Sequence, residues 1–325
     1  MQHIVNVSGG KDSGACIELA LMRGRPFRAV MADTGNEADV TMAHIEAIND
    51  RLRSHNQPPV EVVRNDFSER IAKKREYVRT KWPEKGVPQD YIDRALAVLR
   101  PTGIPFLDLC IWKGRFPSRM AQFCTEFLKQ EAIWNQVLRP ALEQGPVIQW
   151  IGVRRDESLA RKDSLRLRVL RAEGLHRLTT YAPIIHWTGR NAIDFTRARG
   201  GPINPLYREG FTRVGCFPCI NASKDEIARI GANYPDVIAI KAEWETIVAE
   251  ASKRGAATFF PAPTTPEGRA MAASGATGGH DENPYPKLPQ VVEWARTGHG
   301  GRQTDLIRDL ELEGGVCSSA YGLCE

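Results

Sequence analysis

The N-terminal part of the chain alternates between short apolar runs and segments with helical periodicity. Residues 3–7 are apolar and rich in β-branched side chains, two glycines follow, and apolar residues then recur at helical spacing from Ala15 to Met22. Strands that alternate with helices form parallel sheets with both faces covered. The pattern therefore predicts an α/β fold with a doubly wound, mostly parallel five-stranded sheet. The predicted strands lie at 3–7, 27–32, 60–64, 147–153 and 177–185.

Polar clusters follow three of these predicted strands. They are Ser8 to Ser13, Asp33 to Glu37 and Arg154 to Glu157. In open parallel sheets, ligands bind in the crevice beyond the carboxyl ends of the strands. We therefore expect the three clusters to meet in one crevice.

Two further segments depart from the alternating pattern. Residues 66–146 are rich in Lys and Arg with helical spacing, and predict a helical insertion that is either a solvated cap or a substrate-binding lid. Residues 256–289 are rich in Gly, Ala, Thr and Pro, a composition typical of a flexible linker. We therefore predict a main domain over 1–225 and a C-terminal helical region over 226–325. That region ends in a tail with Cys317 and Cys324.

Composition and charge narrow the class of protein. The chain has 325 residues, of which 42% are hydrophobic and 26% are charged, as in soluble globular proteins. No apolar run approaches the ~20 residues that span a bilayer, and the N-terminus has no basic leader, so we expect a cytoplasmic protein without membrane contact. The net charge of +5 suits anionic ligands and permits weak contact with nucleic acid. Seven cysteines without an export signal favour metal binding or redox chemistry over disulfides.

The cluster after the first predicted strand has the composition of a phosphate-binding loop. Glycines let backbone N–H groups approach phosphate oxygens, serine hydroxyls can donate, and the following helix N-terminus favours anions. The lysine adds a positive charge, and the aspartate is either a carboxylate for Mg²⁺ or a helix N-cap. The loop lacks Walker A spacing, and its alternative interpretation is a plain βα turn with a good cap. Its six residues are Ser8, Gly9, Gly10, Lys11, Asp12 and Ser13.

Four cysteines in the middle of the chain are candidate metal ligands. Four thiolates are the ligand set of a tetrahedral zinc ion or a [4Fe–4S] cluster. The Cys-x-x-Cys pair alone could instead be a redox pair, and the first cysteine follows an apolar run and could simply be buried. The four are Cys110, Cys124, Cys216 and Cys219.

These motifs resemble the PP-loop ATP pyrophosphatases and, within them, the phosphoadenosine phosphosulfate (PAPS) reductase-like superfamily, over about residues 1–225. The resemblance implies an adenine nucleotide alpha hydrolase-like fold, with a PP-loop domain that binds ATP or PAPS. It implies that Asp33, Thr34 and Gly35 lie near the adenosine. It also matches an arginine-rich segment, whose guanidinium groups suit phosphate and sulfate oxygens. The segment is otherwise an exposed helix start, and its candidate residues are Arg154, Arg155, Glu157 and Arg161.

The cysteine spacing is similar to one branch of that superfamily. Assimilatory adenylylsulfate reductases and the similar component of DNA phosphorothioation systems carry cysteine-ligated [4Fe–4S] clusters with a Cys-x-x-Cys as the second pair. Cys124-Thr-x-x-Leu-Lys followed by Gly-Cys-x-x-Cys resembles the phosphorothioation and phage branch, which implies a [4Fe–4S] cluster, with Zn²⁺ as the alternative. The reductases have two adjacent cysteines as their first pair. Here thirteen residues separate Cys110 from Cys124, so Cys110 departs from the family pattern.

Two enzyme reactions are compatible with these motifs. The first is ATP-dependent adenylylation of an acceptor with release of pyrophosphate, linked to sulfur transfer, and the complete loop is typical of members that cleave ATP in this way. The second is reduction of PAPS or adenylylsulfate, in which Cys324 attacks the sulfur and Cys317 resolves the adduct. The candidate catalytic residues are Lys11, Asp12, Arg154, Arg161 and Cys324.

Other interpretations stay open at this point. The tail cysteines could be two spare thiols on a mobile end. A third function, from another class, is a non-catalytic, metal-containing module associated with nucleic acid, which the basic insertion permits. The sequence names neither the sulfur-containing or adenylylated substrate nor any partner subunit.

Overall fold

The computed structural model describes residues 1–261, 265–274, 285–298 and 319–323. Its centre is one six-stranded sheet with the order β3-β2-β1-β4-β6-β5. β5 is antiparallel to β6, and the other neighbouring strands are parallel. The predicted α/β fold with a mostly parallel sheet is confirmed, with one strand more than the five expected. The strands are β1 (Gln2–Val7), β2 (Arg28–Ala32), β3 (Glu61–Val63), β4 (Val147–Trp150), β5 (Leu167–Leu170) and β6 (Leu178–Tyr181).

Helices cover both faces of the sheet and form the insertion and the C-terminal region. Within residues 125–144, π-helical segments at Thr125–Gln130 and Trp134–Leu138 alternate with α-helix, and short 3₁₀ helices lie at Arg155–Glu157, Leu159–Arg161 and Pro205–Tyr207. None of the helices in the described ranges is long and apolar enough to cross a membrane. The α-helices are α1 (Lys11–Met22), α2 (Asp39–Arg53), α3 (Ser68–Glu84), α4 (Gln89–Val98), α5 (Pro105–Lys113), α6 (Glu131–Ile133), α7 (Arg139–Gln144), α8 (Gly189–Ala198), α9 (Lys224–Asn233), α10 (Pro235–Glu250), α11 (Pro266–Ala273) and α12 (Leu288–Arg296).

The central strands are buried because successive side chains of each strand enter two different cores. Val5 of β1 packs with Ala15 of α1 in one cluster, whereas Ile4 packs with Val137 in another. Burying a side chain of this size completely stabilises the fold by about 1.5–3 kcal/mol. The two cores fix the direction of β1 and therefore the position of the loop that follows it.

The insertion and the C-terminal helices share one apolar core. Phe106 of α5 stacks on Trp244 of α10, with ring centroids 5.9 Å apart, and on Phe259, at 6.0 Å. The same cluster contains Trp82 of α3 and Val291 of α12. The predicted domain boundary at residue 225 stays a prediction, but the two helical segments pack as one body.

The predicted linker is folded in part. Phe259 and Phe260 are buried in the shared core, and α11 lies within the same segment. Aromatic partners from α5 and α10 bury these residues, which composition alone could not show. Residues 262–264 and 275–284 of the predicted linker lie outside the described residues.

Several cations of the insertion pair with acidic residues on its own surface. Lys73 pairs with Glu69 and Arg79 with Glu76, each within one turn of α3. Such exposed pairs contribute little to stability, at most about 1 kcal/mol each, but they neutralise the local charge. Along α3, the pattern of charges is that of a solvated cap.

Glu245 connects α10 to two other segments, and we expect its removal to destabilise the fold. Its buried carboxylate accepts hydrogen bonds from the backbone N–H of Phe259 (2.6 Å) and of Leu288 (3.0 Å). Glu245→Ala leaves two buried donors unpaired, at a cost of about 1–3 kcal/mol each. Urea unfolding followed by circular dichroism measures this loss. Glu243→Ala, at an exposed position of the same helix, is the control, and equal free energies of unfolding for the two variants would contradict the prediction.

Candidate active site

The segment after β1 forms a tight loop against α2. Gly9 has a φ of +69°, and a Cβ at this position would lie 2.7 Å from Thr41 Cγ2, so glycine is required. Asn204 Nδ2 donates to the carbonyl of Gly9 and to the hydroxyl of Thr41, both at 3.1 Å. Gly10 occupies the cap position of α1, and no side chain caps this helix. The predicted phosphate loop therefore leads into a helix N-terminus that lacks a capping side chain.

The two serines of the loop bond to each other. The backbone N–H of Ser8 donates to Ser13 Oγ at 3.2 Å, and Ser13 Oγ donates to the carbonyl of Gly10 at 2.9 Å. Ser13 therefore fixes the shape of the loop. Ser8 is exposed, and its hydroxyl is the more accessible donor for a phosphate.

A cavity of about 670 Å³ opens beside this loop. Its volume is within the range of about 300–1,000 Å³ that is usual for small-molecule sites. Glu37 of the second polar cluster lines the cavity. Asp33, Thr34 and Gly35 of the same cluster are not among the described residues that line it, and neither is Arg155 of the arginine-rich segment. The predicted site residues that do line it are Ser8, Gly10, Lys11, Asp12, Ser13, Arg154, Glu157 and Arg161.

Lys11 lies in a cage of aromatic rings and a carbonyl. Its Nζ donates to the backbone carbonyl of Thr212 at 2.9 Å, and lies 5.2 Å and 5.1 Å from the ring centroids of Tyr207 and Tyr321. The backbone N–H of Lys11 donates to the hydroxyl of Tyr207 at 2.9 Å. A phosphate that binds this lysine must compete with the cage for the cation.

The C-terminal tail supplies part of this cage. Tyr321 packs edge-on against Tyr207, with ring centroids 5.6 Å apart, and its hydroxyl donates to Thr212 O at 3.1 Å. Leu323 is buried against Tyr207 and Ile193. Residues 319–323 therefore contact the phosphate loop. Cys317 and Cys324 lie outside the described residues, so the role of Cys324 stays a prediction.

Asp12 and Arg154 form a partly buried ion pair at the wall of the cavity. Arg154 Nε donates to Asp12 Oδ1 at 2.6 Å, and the same guanidinium pairs with Asp156. Burial raises the pKa of Asp12, and the charges of Lys11 and Arg154 oppose this rise. A Cβ at Gly152 would lie 2.9 Å from the Asp12 backbone, so glycine permits this close approach of the segment after β4 to α1. Asp12 thus holds Arg154 in position.

The remaining residues of the arginine-rich segment divide between cavity and surface. Arg161 pairs with Glu157, which also accepts from Arg213 at 3.4 Å, and all three residues line the cavity. Arg155 Nε instead donates to the carbonyl of Ser164 at 3.1 Å, away from the loop. Arg154, Arg161 and Arg213 are therefore the guanidinium groups that line the cavity and are available to an anion.

The turn after β2 positions Glu37 rather than contacting the cavity itself. Asp33 Oδ1 accepts from the N–H of Gly35 at 2.7 Å, and Gly35 has a φ of +69°. The hydroxyl of Thr34 donates to Glu37 Oε1 at 2.7 Å. Burial raises the pKa of Glu37, although the bonds from Thr34 oppose this. The turn therefore delivers one carboxyl group to the cavity.

The Cys-x-x-Cys loop is joined to this turn through the backbone. Phe217 N donates to Asn36 O at 2.6 Å, and Asn36 Nδ2 donates to the carbonyl of Pro218 at 3.2 Å. Glu37 and Cys216 form an isolated antiparallel bridge. The cysteine loop therefore lies beside the cavity.

The four candidate ligand cysteines are electrostatic neighbours. Cys124 interacts with Cys110 and with Cys219, and Cys219 interacts with Cys216. Burial raises the pKa of Cys110 and Cys124, and that of Cys216 to about 11. In the part of the chain that the structure describes, no three His, Cys, Asp or Glu side chains form a group that could hold a metal ion. The ligand role of the four cysteines stays a prediction.

Lys129 lies between the cavity and these thiols. It belongs to the π-helical segment Thr125–Gln130 and lines the cavity. Its pKa is raised chiefly by Cys216 and further by Glu37, against the effect of burial. One positive charge therefore faces both candidate sites.

Several residues of the site were not predicted from the sequence. Lys129 had a visible signal, its spacing from Cys124 in the cysteine motif. The aromatic cage had no such signal in the sequence. Tyr207 is 196 positions from Lys11, and Tyr321 is farther still. The additional residues are Lys129, Asn204, Tyr207, Thr212 and Tyr321.

Comparisons with known proteins cover most of the chain. The family model of the phosphoadenosine phosphosulfate reductase domain matches residues 2–222, which include the loop, the arginine-rich segment and all four candidate ligand cysteines. An uncharacterized 37.8 kDa protein of Escherichia phage 186 is 41% identical over 345 residues, 99% of this chain and 96% of that protein.

More distant similarities involve reductases. The adenosine 5'-phosphosulfate reductase of Deinococcus radiodurans is 34% identical over 90 residues, 27% of this chain and 33% of that protein. A solved phosphoadenylyl-sulfate reductase from Candida auris, in a phosphate complex, aligns with 67% of this chain and 83% of its own at 13% identity, with a TM-score of 0.37.

We expect Lys11→Ala to weaken nucleotide binding without unfolding the protein. Loss of one charge-assisted phosphate contact costs about 1.5–3 kcal/mol, or roughly ten- to hundredfold in affinity. Calorimetric titration with ATP and with PAPS measures the change, and circular dichroism checks the fold. Lys253→Ala removes an exposed lysine elsewhere and serves as the control. Equal affinities of wild type and Lys11→Ala for both nucleotides would show that this loop does not hold phosphate.

Proposed function

Because the chain belongs to the phosphoadenosine phosphosulfate reductase domain family, we propose that it is an enzyme of sulfur metabolism that binds an adenine nucleotide in the cavity beside Lys11. The phosphates or sulfate of the nucleotide would contact the phosphate loop. Arg154 and Arg161, which also line the cavity, would offer guanidinium donors. The convergence of these three cations on one cavity supports the proposal.

Of the two reactions expected from the sequence, we favour reduction of an adenylylated sulfate. The observation that carries this choice is the contact of residues 319–323 with the phosphate loop. Tyr321 lines the cavity, and Leu323, which directly precedes Cys324 in the chain, is buried against Tyr207. This contact brings the C-terminal tail to the nucleotide site. Partial similarity to adenosine 5'-phosphosulfate reductases points in the same direction.

The proposed reaction uses two thiols. The thiolate of Cys324 attacks the sulfur of the adenylylated sulfate, the S–O bond to the nucleotide phosphate breaks, and the nucleotide leaves with that electron pair. Cys324 then carries a sulfonate as S-sulfocysteine. A second thiol, from Cys317 or an added dithiol, attacks the sulfur of Cys324, so that a disulfide forms and sulfite leaves. The two thiols supply the two electrons that reduce the sulfur.

The residues of the cavity would stabilise the leaving nucleotide. Its phosphate gains negative charge as the S–O bond breaks, and Lys11 and the loop N–H groups are positioned to bind it. Asp12 would not take part directly, because it is paired with Arg154 and keeps that guanidinium at the wall. Lys11 gives one of its three N–H donors to Thr212, so a phosphate would take the remaining donors or replace that bond.

ATP-dependent adenylylation is the second candidate, and the complete phosphate loop favours it. In that reaction the acceptor attacks the α-phosphate and pyrophosphate leaves, with the same loop stabilising the new charge. Asp156 and Glu157 line the cavity and could contribute carboxylates to Mg²⁺ bound with the nucleotide. The basic insertion gives the non-catalytic module little support along α3, where Lys73 and Arg79 pair with acidic residues of the same helix.

The four cysteines would hold a [4Fe–4S] cluster, with Zn²⁺ as the alternative. One buried and three half-buried thiols have the donor chemistry of either group, and binding would require them to move together from their positions in this structure. Lys129 offers a positive charge beside them, as an anionic cluster requires. When bound, the cluster would supply a redox-active, negatively charged group. Lys129 would then have the cluster on one side and the cavity on the other.

An assay of products distinguishes the two reactions. Protein purified without oxygen is incubated with adenylylsulfate, PAPS or ATP in the presence of dithiothreitol. We expect sulfite from a sulfated nucleotide, and no sulfite with Cys324→Ser, although that variant still binds nucleotide. Cys317→Ser is the matched control, because the added dithiol can resolve the adduct. Pyrophosphate from ATP, at equal rates in wild type and Cys324→Ser, would instead support adenylylation.

A separate measurement tests the cysteine site. We expect anaerobically purified protein to be brown and to contain about four iron and four sulfide per chain. Cys216→Ser and Cys219→Ser should lose the colour and the iron, whereas Cys16→Ser, at a buried position in α1, should keep them. Colourless protein with one zinc ion would establish the alternative, and metal-free protein would exclude both groups.

A further inference from the structure

β5 forms the outer edge of the sheet, and its backbone is available for another strand. Ala182 N donates to Arg166 O at 2.9 Å, and Arg168 lies opposite Thr180. Because hydrogen-bonded pairs alternate in an antiparallel ladder, the N–H and C=O groups of Leu167 and Val169 point away from β6. Within the described ranges of the chain, no strand pairs with this edge.

The side chains of this edge form two different rows. Leu165, Leu167 and Val169 alternate along the chain and are 67%, 57% and 53% exposed. Arg166 and Arg168 alternate with them, on the opposite face. Natural edge strands usually avoid a row of exposed apolar residues, because such a row promotes pairing with other chains. The row therefore indicates a surface that a partner covers.

The charge of this surface is positive. Residues 165–173, which contain β5, carry three Arg and one Glu, a net charge of +2. Among the described residues, no acidic side chain forms an ion pair with Arg168 or Arg171. A partner of this edge is therefore acidic.

We propose that the outer edge of β5 binds an extended protein segment in which acidic and apolar residues alternate, and which adds a seventh strand to the sheet. The outward N–H and C=O groups would pair with its backbone, as in other cases of strand addition. Its apolar residues would cover Leu165, Leu167 and Val169, and its carboxylates would face Arg168. This interaction surface is independent of the reaction proposed for the cavity.

A second copy of β5 fits this edge poorly. In a symmetric antiparallel pair, the outward residues Leu167 and Val169 must lie opposite outward residues of the other copy. The arginines then lie opposite each other or opposite Leu170, and like charges directly opposite destabilise a sheet. A nucleic acid would account for the arginines, but not for the apolar row or the open backbone edge.

Fluorescence anisotropy with defined peptides tests the proposal. The probe is a labelled peptide in which leucine and glutamate alternate, and the control peptide has the same composition with the leucines grouped together. We expect saturable binding of the alternating peptide to the full chain and much weaker binding of the control. Equal binding of the two peptides would show that only unspecific charge attraction holds them, and would overturn the proposal. Absence of binding by either peptide would overturn it as well.

Variants of β5 locate the binding. Val169→Pro removes one outward N–H without removing a bond to β6, and should weaken binding about three- to tenfold, whereas Val169→Thr keeps the N–H and serves as the control. The Arg168→Glu variant should no longer bind the glutamate peptide and should instead bind a peptide in which leucine and lysine alternate. Circular dichroism and nucleotide binding check that each variant is folded. Unchanged binding by both Val169→Pro and Arg168→Glu would place the peptide elsewhere and contradict the proposal.

Two other occupants are separate outcomes of the experiment. A single-stranded oligonucleotide that displaces the peptide and binds more tightly would identify a nucleic-acid surface instead. The sequence from Asp309 to Glu313 also alternates acidic residues with leucine. This segment could occupy the edge itself and exclude the peptide. If the wild-type chain does not bind the peptide but a variant with Glu311→Lys and Glu313→Lys does, the partner is this chain's own segment and not another protein.

Discussion

The backbone connection between the end of β2 and the Cys-x-x-Cys loop holds the two candidate sites together. Phe217 donates to the carbonyl of Asn36, and the Asn36 side chain donates to the carbonyl of Pro218. Asn36 is buried, so these bonds are shielded from water and their loss would leave unpaired polar groups in the interior. Glu37 then lies at the cavity and Cys216 among the thiols. The chemistry of either site is thus constrained by the position of the other.

Local sequence patterns were sufficient to predict the centre of the fold. β1, the glycine loop and α1 follow one another directly in the sequence. The apolar periodicity and the glycines that mark them are local signals, since each involves only a few neighbouring residues. β5 was missed because its leucines alternate with arginines and both of its faces are exposed, so no apolar run marks it. Phe259 was assigned to a linker because its burial depends on Phe106 and Trp244, which are distant in the sequence.

The site could be predicted only where one segment carries its own signal. The phosphate loop is such a segment, because the geometry of a βα turn requires glycine at Gly9 and allows an anion at the following helix. Asp33 and Gly35 also belong to a recognisable motif, but neither is among the described residues that line the cavity. Their hydrogen bond shapes the turn that orients Glu37, and the sequence alone does not reveal this role. Tyr207 lies far from the loop in sequence, and its contact with Lys11 arises from tertiary packing.

Competition for Lys11 relates the tail to the nucleotide. The bond from Lys11 to the Thr212 carbonyl is charge-assisted, and such a bond stabilises by about 1.5–3 kcal/mol. The cation–π contacts of this buried lysine with Tyr207 and Tyr321 add up to about 2 kcal/mol each. A phosphate contact has a similar magnitude, and a nucleotide also gains contacts with the loop N–H groups and with Arg154. The nucleotide therefore competes with the cage for the lysine on comparable terms. Tyr321 then loses its cation but keeps its packing against Tyr207, so the tail can stay beside the nucleotide while Lys11 changes partners.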